Sequence, residues 1–103
     1  KSAIVELTPA GLGVDQTWQD FSSSGRSVST SYQNTTGAPI MVCIGGGWNG
    51  SDVTPFEVSN NGSSWIGINR INSGGTLNGS AVVPDDGYYR WNGGSFDTWA
   101  ELR

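Results

Sequence analysis

The sequence predicts an all-β domain, an antiparallel β-sandwich of short strands joined by hairpin turns and Gly-rich loops. Two observations carry this. Apolar residues nowhere recur at i, i+3, i+4 and i+7 over three turns, and Gly or Pro interrupts every window of helical length. What recurs is short runs of β-branched and aromatic residues closed by turn residues. Gly, Ser, Thr and Asn supply 46 of the 103 residues, while five Trp argue against disorder.

In chain order, strands are expected near residues 3–6, 17–21, 29–33, 40–44, 55–58, 64–71, 80–83, 88–91 and 98–102. Several turns are defined by chemistry. Asn61-Gly62 tolerates positive φ at both central positions, as a type I′ hairpin requires. Thr36-Gly37-Ala38-Pro39, Pro84-Asp85-Asp86-Gly87 and Asn92-Gly93-Gly94 read as further reversals. Residues 22–25, 45–52 and 72–79 read as Gly-rich loops, the middle one carrying Trp48 among residues without bulk. Residues 1–12 read as a linker from a preceding segment, and 13–103 as one small domain.

Composition narrows the function. The net charge is −4, and the five cations Lys1, Arg26, Arg70, Arg90 and Arg103 are scattered. No basic stripe exists to release counterions from nucleic acid or to hold an anionic membrane, and no apolar run is long enough to insert into one. The absence of His removes the usual general base, zinc ligand and Ser-His pairing. Cys43 has no partner for an internal disulfide and reads as a small buried hydrophobe. Asp85-Asp86 is an adjacent pair explained by its turn, whereas glycoside hydrolysis needs two carboxyls facing across a bond. Asn49, Ser51 and Asp52 are hard-oxygen donors, but no calcium-loop spacing accompanies them. Neither an enzyme, a cofactor nor a metal site is expected. Four Asn-x-Ser/Thr sequons occur, at Asn34, Asn49, Asn61 and Asn78; the last three are Asn-Gly-Ser, which turn chemistry explains, and no glycan is expected.

The aromatics carry the binding signal. Trp18 and Trp99 lie in strand contexts and are expected in the core or a subunit contact. Trp48 has nothing nearby to bury it, which favours a ring offered to the apolar face of a sugar. For Trp65, Tyr89 and Trp91, core and binding readings both stand. The candidate ligand-binding set is Trp48, Asn49 and Asp52 from one loop, Trp65, Asn69 and Arg70 from the long hairpin, and Tyr89 with Trp91. Rings would stack, amides and carboxylates would take hydroxyls, and Arg70 would pair with an anionic group.

Four stretches together resemble a known family: residues 13–20 (Gly-Val-Asp-Gln-Thr-Trp-Gln-Asp), 26–42 with Asn34-Thr35-Thr36-Gly37-Ala38-Pro39-Ile40, 82–89 with Pro84 and Gly87-Tyr88-Tyr89, and the terminal Trp99-Ala100-Glu101-Leu102-Arg103. In this order they are similar to the C-terminal domain of bacteriophage and prophage tail-fibre proteins. Asp15 stands where that pattern has Gly, and Asp85 where a second Pro is common. Residues 45–77 match no part of the pattern. The resemblance implies a fibre tip that is homotrimeric and contacts a host cell-surface glycan, protein or other outer-membrane component. It implies a location in the virion, or in the bacterial cytoplasm during assembly of a prophage product. The alternatives are a trimerisation or capping module without receptor contact and, more remotely, a polysaccharide-degrading enzyme.

Overall fold

A computed structural model describes residues 11–48, 50, 54–70 and 75–103. Eight strands form among them: β1 (Trp18–Asp20), β2 (Tyr32–Gln33), β3 (Ile40–Gly47), β4 (Phe56–Ser59), β5 (Ile66–Gly67), β6 (Thr76–Val83), β7 (Tyr88–Trp91) and β8 (Phe96–Leu102). They make two antiparallel four-stranded sheets, ordered β1-β8-β3-β6 and β2-β7-β4-β5. The described residues contain no helix, and so none long and apolar enough to cross a membrane. The all-β sandwich read from the sequence is the fold.

Side-chain alternation builds the core. On β3, Ile40, Val42 and Ile44 point inward and are buried, while Met41 and Cys43 alternate to the outer face and are only partly covered. Val83 on β6, Trp99 on β8, Phe56 on β4, and Tyr89 and Trp91 on β7 complete the buried cluster. Edge-on ring contacts, Tyr32 to Trp99 at 5.8 Å and Phe96 to Trp99 at 4.9 Å, tie the packing together. Cys43 is therefore not the core residue expected; strand register turns it outward.

The strands differ from expectation where glycine was read as loop. β3 continues through Gly45–Gly47, paired with Thr76–Asn78. A Cβ on Gly45 would strike the side chains of Asn78 and Thr98, which cross the strand there. Gly46 lies against the Phe96 and Ser95 backbone, where the β3–β8 register shifts. Close approach, and not flexibility, explains both glycines. The strand expected at 64–71 shortens to Ile66–Gly67 among the described residues, and the one expected at 3–6 lies outside them.

Two polar clamps hold the frame. Asn34 is fully buried. Its Nδ2 donates to the carbonyls of Ala38 (2.8 Å), Val83 (3.0 Å) and Pro84 (3.1 Å), and its Oδ1 accepts from Thr36 N (3.1 Å) and Thr36 Oγ1 (2.7 Å). A glycan on this sequon is incompatible with the fold.

The second clamp is Glu101, whose side chain is 0% exposed. Oε2 accepts from Arg26 Nε (2.9 Å) and Trp99 Nε1 (2.9 Å). Oε1 accepts from Arg26 Nη2 (3.0 Å), Tyr89 Oη (3.0 Å) and Arg103 Nη1 (2.8 Å). The Arg26 guanidinium also lies 3.9 Å from the Phe21 ring centroid. Burial alone would raise the Glu101 carboxyl, but hydrogen bonds from Arg26, Arg103 and Trp99 outweigh it and hold the group below its ordinary value. Burial, then the Glu101 charge, pushes the Tyr89 phenol up to about 12.

Candidate functional site

Three connections meet at one end of the sandwich. β3 ends at Gly47, whose N–H donates to Ser95 O (3.1 Å) and whose carbonyl accepts from Gly94 N (2.8 Å). Asn92 N donates to Pro55 O (2.7 Å), joining the approach to β4 to the β7–β8 turn. Ile68 N donates to Phe56 O (2.8 Å), and Thr76 pairs with Gly47, so the β5–β6 connection leaves and returns at this end. Trp48, Asn69 and Arg70 therefore gather on the same end through strand direction alone. Asn49 and Asp52 lie outside the described residues.

Trp48 follows directly on β3 and is half-buried. Its indole Nε1 is shielded from solvent and finds no acceptor among the described residues. A buried donor without an acceptor costs about 1–3 kcal/mol, and among the described residues this is the one buried side-chain polar atom that lacks a partner. Asn69 donates from Nδ2 to the Asn78 carbonyl on the open edge of β6. Beside it an open depression of about 400 Å³ is lined by Cys43, Asn69, Asn78, Gly79 and Ser80. Its amide, hydroxyl and thiol lining carries no formal charge, since burial pushes the Cys43 thiol up and keeps it protonated. Arg70 is exposed at the same end.

Three other expected site residues lie elsewhere. Tyr89 and Trp91 are 0% exposed and belong to the core, with Trp91 Nε1 donating to Gly94 O (2.8 Å). Both alternate inward along β7, so neither offers a ring face to a ligand, which corrects that expectation. Trp65 stands on the outer face of the second sheet, its ring centroid 3.9 Å from the Arg90 guanidinium carbon. Trp18, expected in the core or a subunit contact, is 58% exposed on the outer face of the first sheet.

At the opposite end, Asp85 Oδ1 accepts from Gly37 N (3.0 Å), and Asp86 takes a turn conformation at φ 67°. Pro84–Gly87 is the turn the sequence suggested, closed by Gly87 N donating to Pro84 O (2.9 Å), whereas the Asp85 side chain bridges to a second turn. Among the described residues, no three His, Cys, Asp or Glu side chains gather to hold a metal ion.

Sequence reasoning missed the Glu101 clamp and the groups around Trp65. For Glu101 a signal was present, because Trp99 and Glu101 share a face by alternation and a carboxylate beside a core Trp requires partners. No family model, curated protein or solved structure matches the chain.

Proposed function

We propose that this domain is the receptor-binding tip of a phage tail fibre, attaching to a glycan or protein on the bacterial surface. The observation that carries the reading is the Trp48 indole, a buried donor lacking an acceptor at the end where the glycine-rich connections converge. An incoming hydroxyl or carbonyl that displaces its cover would supply the missing acceptor.

The division of the chain supports the same reading. The four stretches behind the resemblance interlock as the frame: residues 18–20 pair with 100–102, Arg26 binds Glu101, and Asn34 holds Val83 and Pro84. The stretch outside the resemblance, 45–77, supplies Trp48, Asn69 and Arg70. A shared frame with its own loops at one end is a common plan for recognition. The reading assigns the domain no catalytic step.

The experiment is decoration of bacterial cells by the fluorescently labelled domain. Wild type should label a host strain, and Trp48→Ala should not. Equal labelling by the two would remove Trp48 from the site, and no labelling across a broad strain panel would remove the receptor reading.

One observation favours a second reading, a trimerisation module. Trp18, Leu102, Met41 and Val82 stand in register across all four strands of the first sheet, on its outer face. Trp18 is 58% and Val82 50% exposed. A continuous apolar row of this kind suits burial against further copies of the chain. Light scattering separates the outcomes: a trimer in wild type and a monomer in Trp18→Ser/Val82→Ser supports this use of the row, and a monomeric wild type refutes it.

A further inference from the structure

We infer that the solvent face of the second sheet is a sugar-binding platform built on Arg90, Glu57, Trp65 and Tyr88, taking a neutral glycan through a pair of adjacent hydroxyls. The inference rests on the receptor-binding reading above and names a ligand class and a surface for it. On β4 and β7, Phe56, Val58, Tyr89 and Trp91 turn inward. The alternating residues Glu57, Ser59, Tyr88 and Arg90 therefore share the outer face, with Glu57 opposite Arg90 and Ser59 opposite Tyr88.

Arg90 is fixed from two directions. Its Nε donates to Glu57 Oε1 (2.8 Å), and the Trp65 ring covers the guanidinium at 3.9 Å. Asn92 Nδ2 donates to the same Glu57 oxygen at 2.9 Å. The Nε bond leaves the far edge of the fork open. Among the described residues, the two terminal nitrogens of Arg90, Glu57 Oε2 and the Tyr88 hydroxyl meet no protein partner.

This set matches a vicinal diol. A sugar hydroxyl both donates and accepts, so one can accept from the guanidinium while its neighbour donates to the carboxylate. Stacking and the Nε bond hold the fork in one plane before any ligand arrives, so little side-chain freedom is lost on binding. The Trp65 and Tyr88 rings offer apolar surface to sugar C–H groups. The charges of Arg90 and Glu57 cancel, and the chain carries −4, so a neutral sugar is preferred over a uronate or phosphate.

The test is a printed array of purified bacterial polysaccharides, neutral and acidic, probed with wild type, Arg90→Lys, Tyr88→Phe and Trp48→Ala, with melting curves for each. Arg90→Lys keeps the charge and loses the fork; Tyr88→Phe keeps the ring that packs on Gly62. Wild type should bind neutral polysaccharides, Arg90→Lys roughly tenfold or more weakly, and Tyr88→Phe several-fold more weakly, each with an unchanged melt. Binding confined to acidic polysaccharides overturns the neutral-sugar assignment. If Arg90→Lys and Tyr88→Phe bind as wild type while Trp48→Ala does not, the platform is overturned and the receptor reading stands. A silent array beside intact cell decoration also overturns the platform alone, whereas absent decoration removes the receptor reading itself.

Discussion

Replacing Glu101 by Gln tests whether the buried clamp holds the two sheets together. The change keeps the side chain's size and removes its charge. Five donors converge on the carboxylate, three on Oε1 and two on Oε2. An amide has one acceptor oxygen, so its NH₂ must confront at least the Arg26 Nε and Trp99 Nε1 pair. Arg26 and Arg103 also lose their shared counter-charge inside the fold. Breaking a buried pair in this way costs about 3–5 kcal/mol, a large part of the roughly 5–15 kcal/mol that a domain of this size has in total. At about 4 °C or more per kcal/mol, the melting temperature should fall by roughly 12 °C or more. The control is Glu57→Gln, which breaks a partly exposed pair worth about 0–1 kcal/mol. Calorimetry on both variants decides the matter: if Glu101→Gln melts within a few degrees of Glu57→Gln, the clamp argument is wrong. Acid provides a second reading. The Glu101 carboxyl lies below its ordinary value in the folded state, so its contribution is complete above the unfolded pKa near about 4.3 and is lost as pH falls through the folded value. Wild type should lose this stability in acid, and Glu101→Gln should lack that part of the decline.

Three further outcomes follow from the frame. Asn34→Ala should cost about 3 kcal/mol, and Asn34→Asp more at neutral pH, because a carboxylate would face the Ala38, Val83 and Pro84 carbonyls; chemical denaturation showing Asp milder than Ala would contradict this. Asp15 holds φ 57°, so Asp15→Gly should leave stability unchanged or raise it by up to about 1 kcal/mol, and a clear loss would mean the Asp side chain contributes something further. Tyr89 ionises in the unfolded chain near its ordinary value of about 10 and in the folded protein at about 12. Its contribution is complete below the unfolded value and is lost as pH rises through that interval, so wild type should weaken there in an alkaline melt series and Tyr89→Phe should not share that component.

The frame was legible because its signals are local. Alternation at Ile40, Val42 and Ile44, and turn chemistry at Pro84–Gly87, fix strands whatever lies across the sheet; Asn61-Gly62 does reverse the chain between β4 and β5, but inside the longer connection 60–65 and with positive φ at Gly62 alone, not as the type I′ turn expected. Gly45 and Gly46 were misread as loop because the side chains and backbone that need their space come from Asn78, Thr98, Ser95 and Phe96, far along the chain. Tyr89 and Trp91 stood equally well in the core or at a site, since one register step exchanges the two faces of a strand. Asp15, which departs from the resembled pattern, turns out to occupy a conformation that glycine adopts without strain. Trp48, Asn69 and Arg70 come together through the directions of β3, β5 and β6, which no single stretch encodes.

The order of strands in the first sheet bears on how the chain acquires its structure. Among the described residues β1 has a single neighbour there, β8, and β8 also separates β1 from β3. A ribosome releases β1 long before its partner β8, so β1 stays unpaired until nearly the whole of residues 11–103 has emerged. Such non-local pairing favours folding in milliseconds to seconds over microseconds. It also makes completion all-or-none. A chain interrupted before Phe96 lacks an interior strand, the Trp99 ring and the carboxylate that Arg26 requires, and no smaller working version of the domain is left.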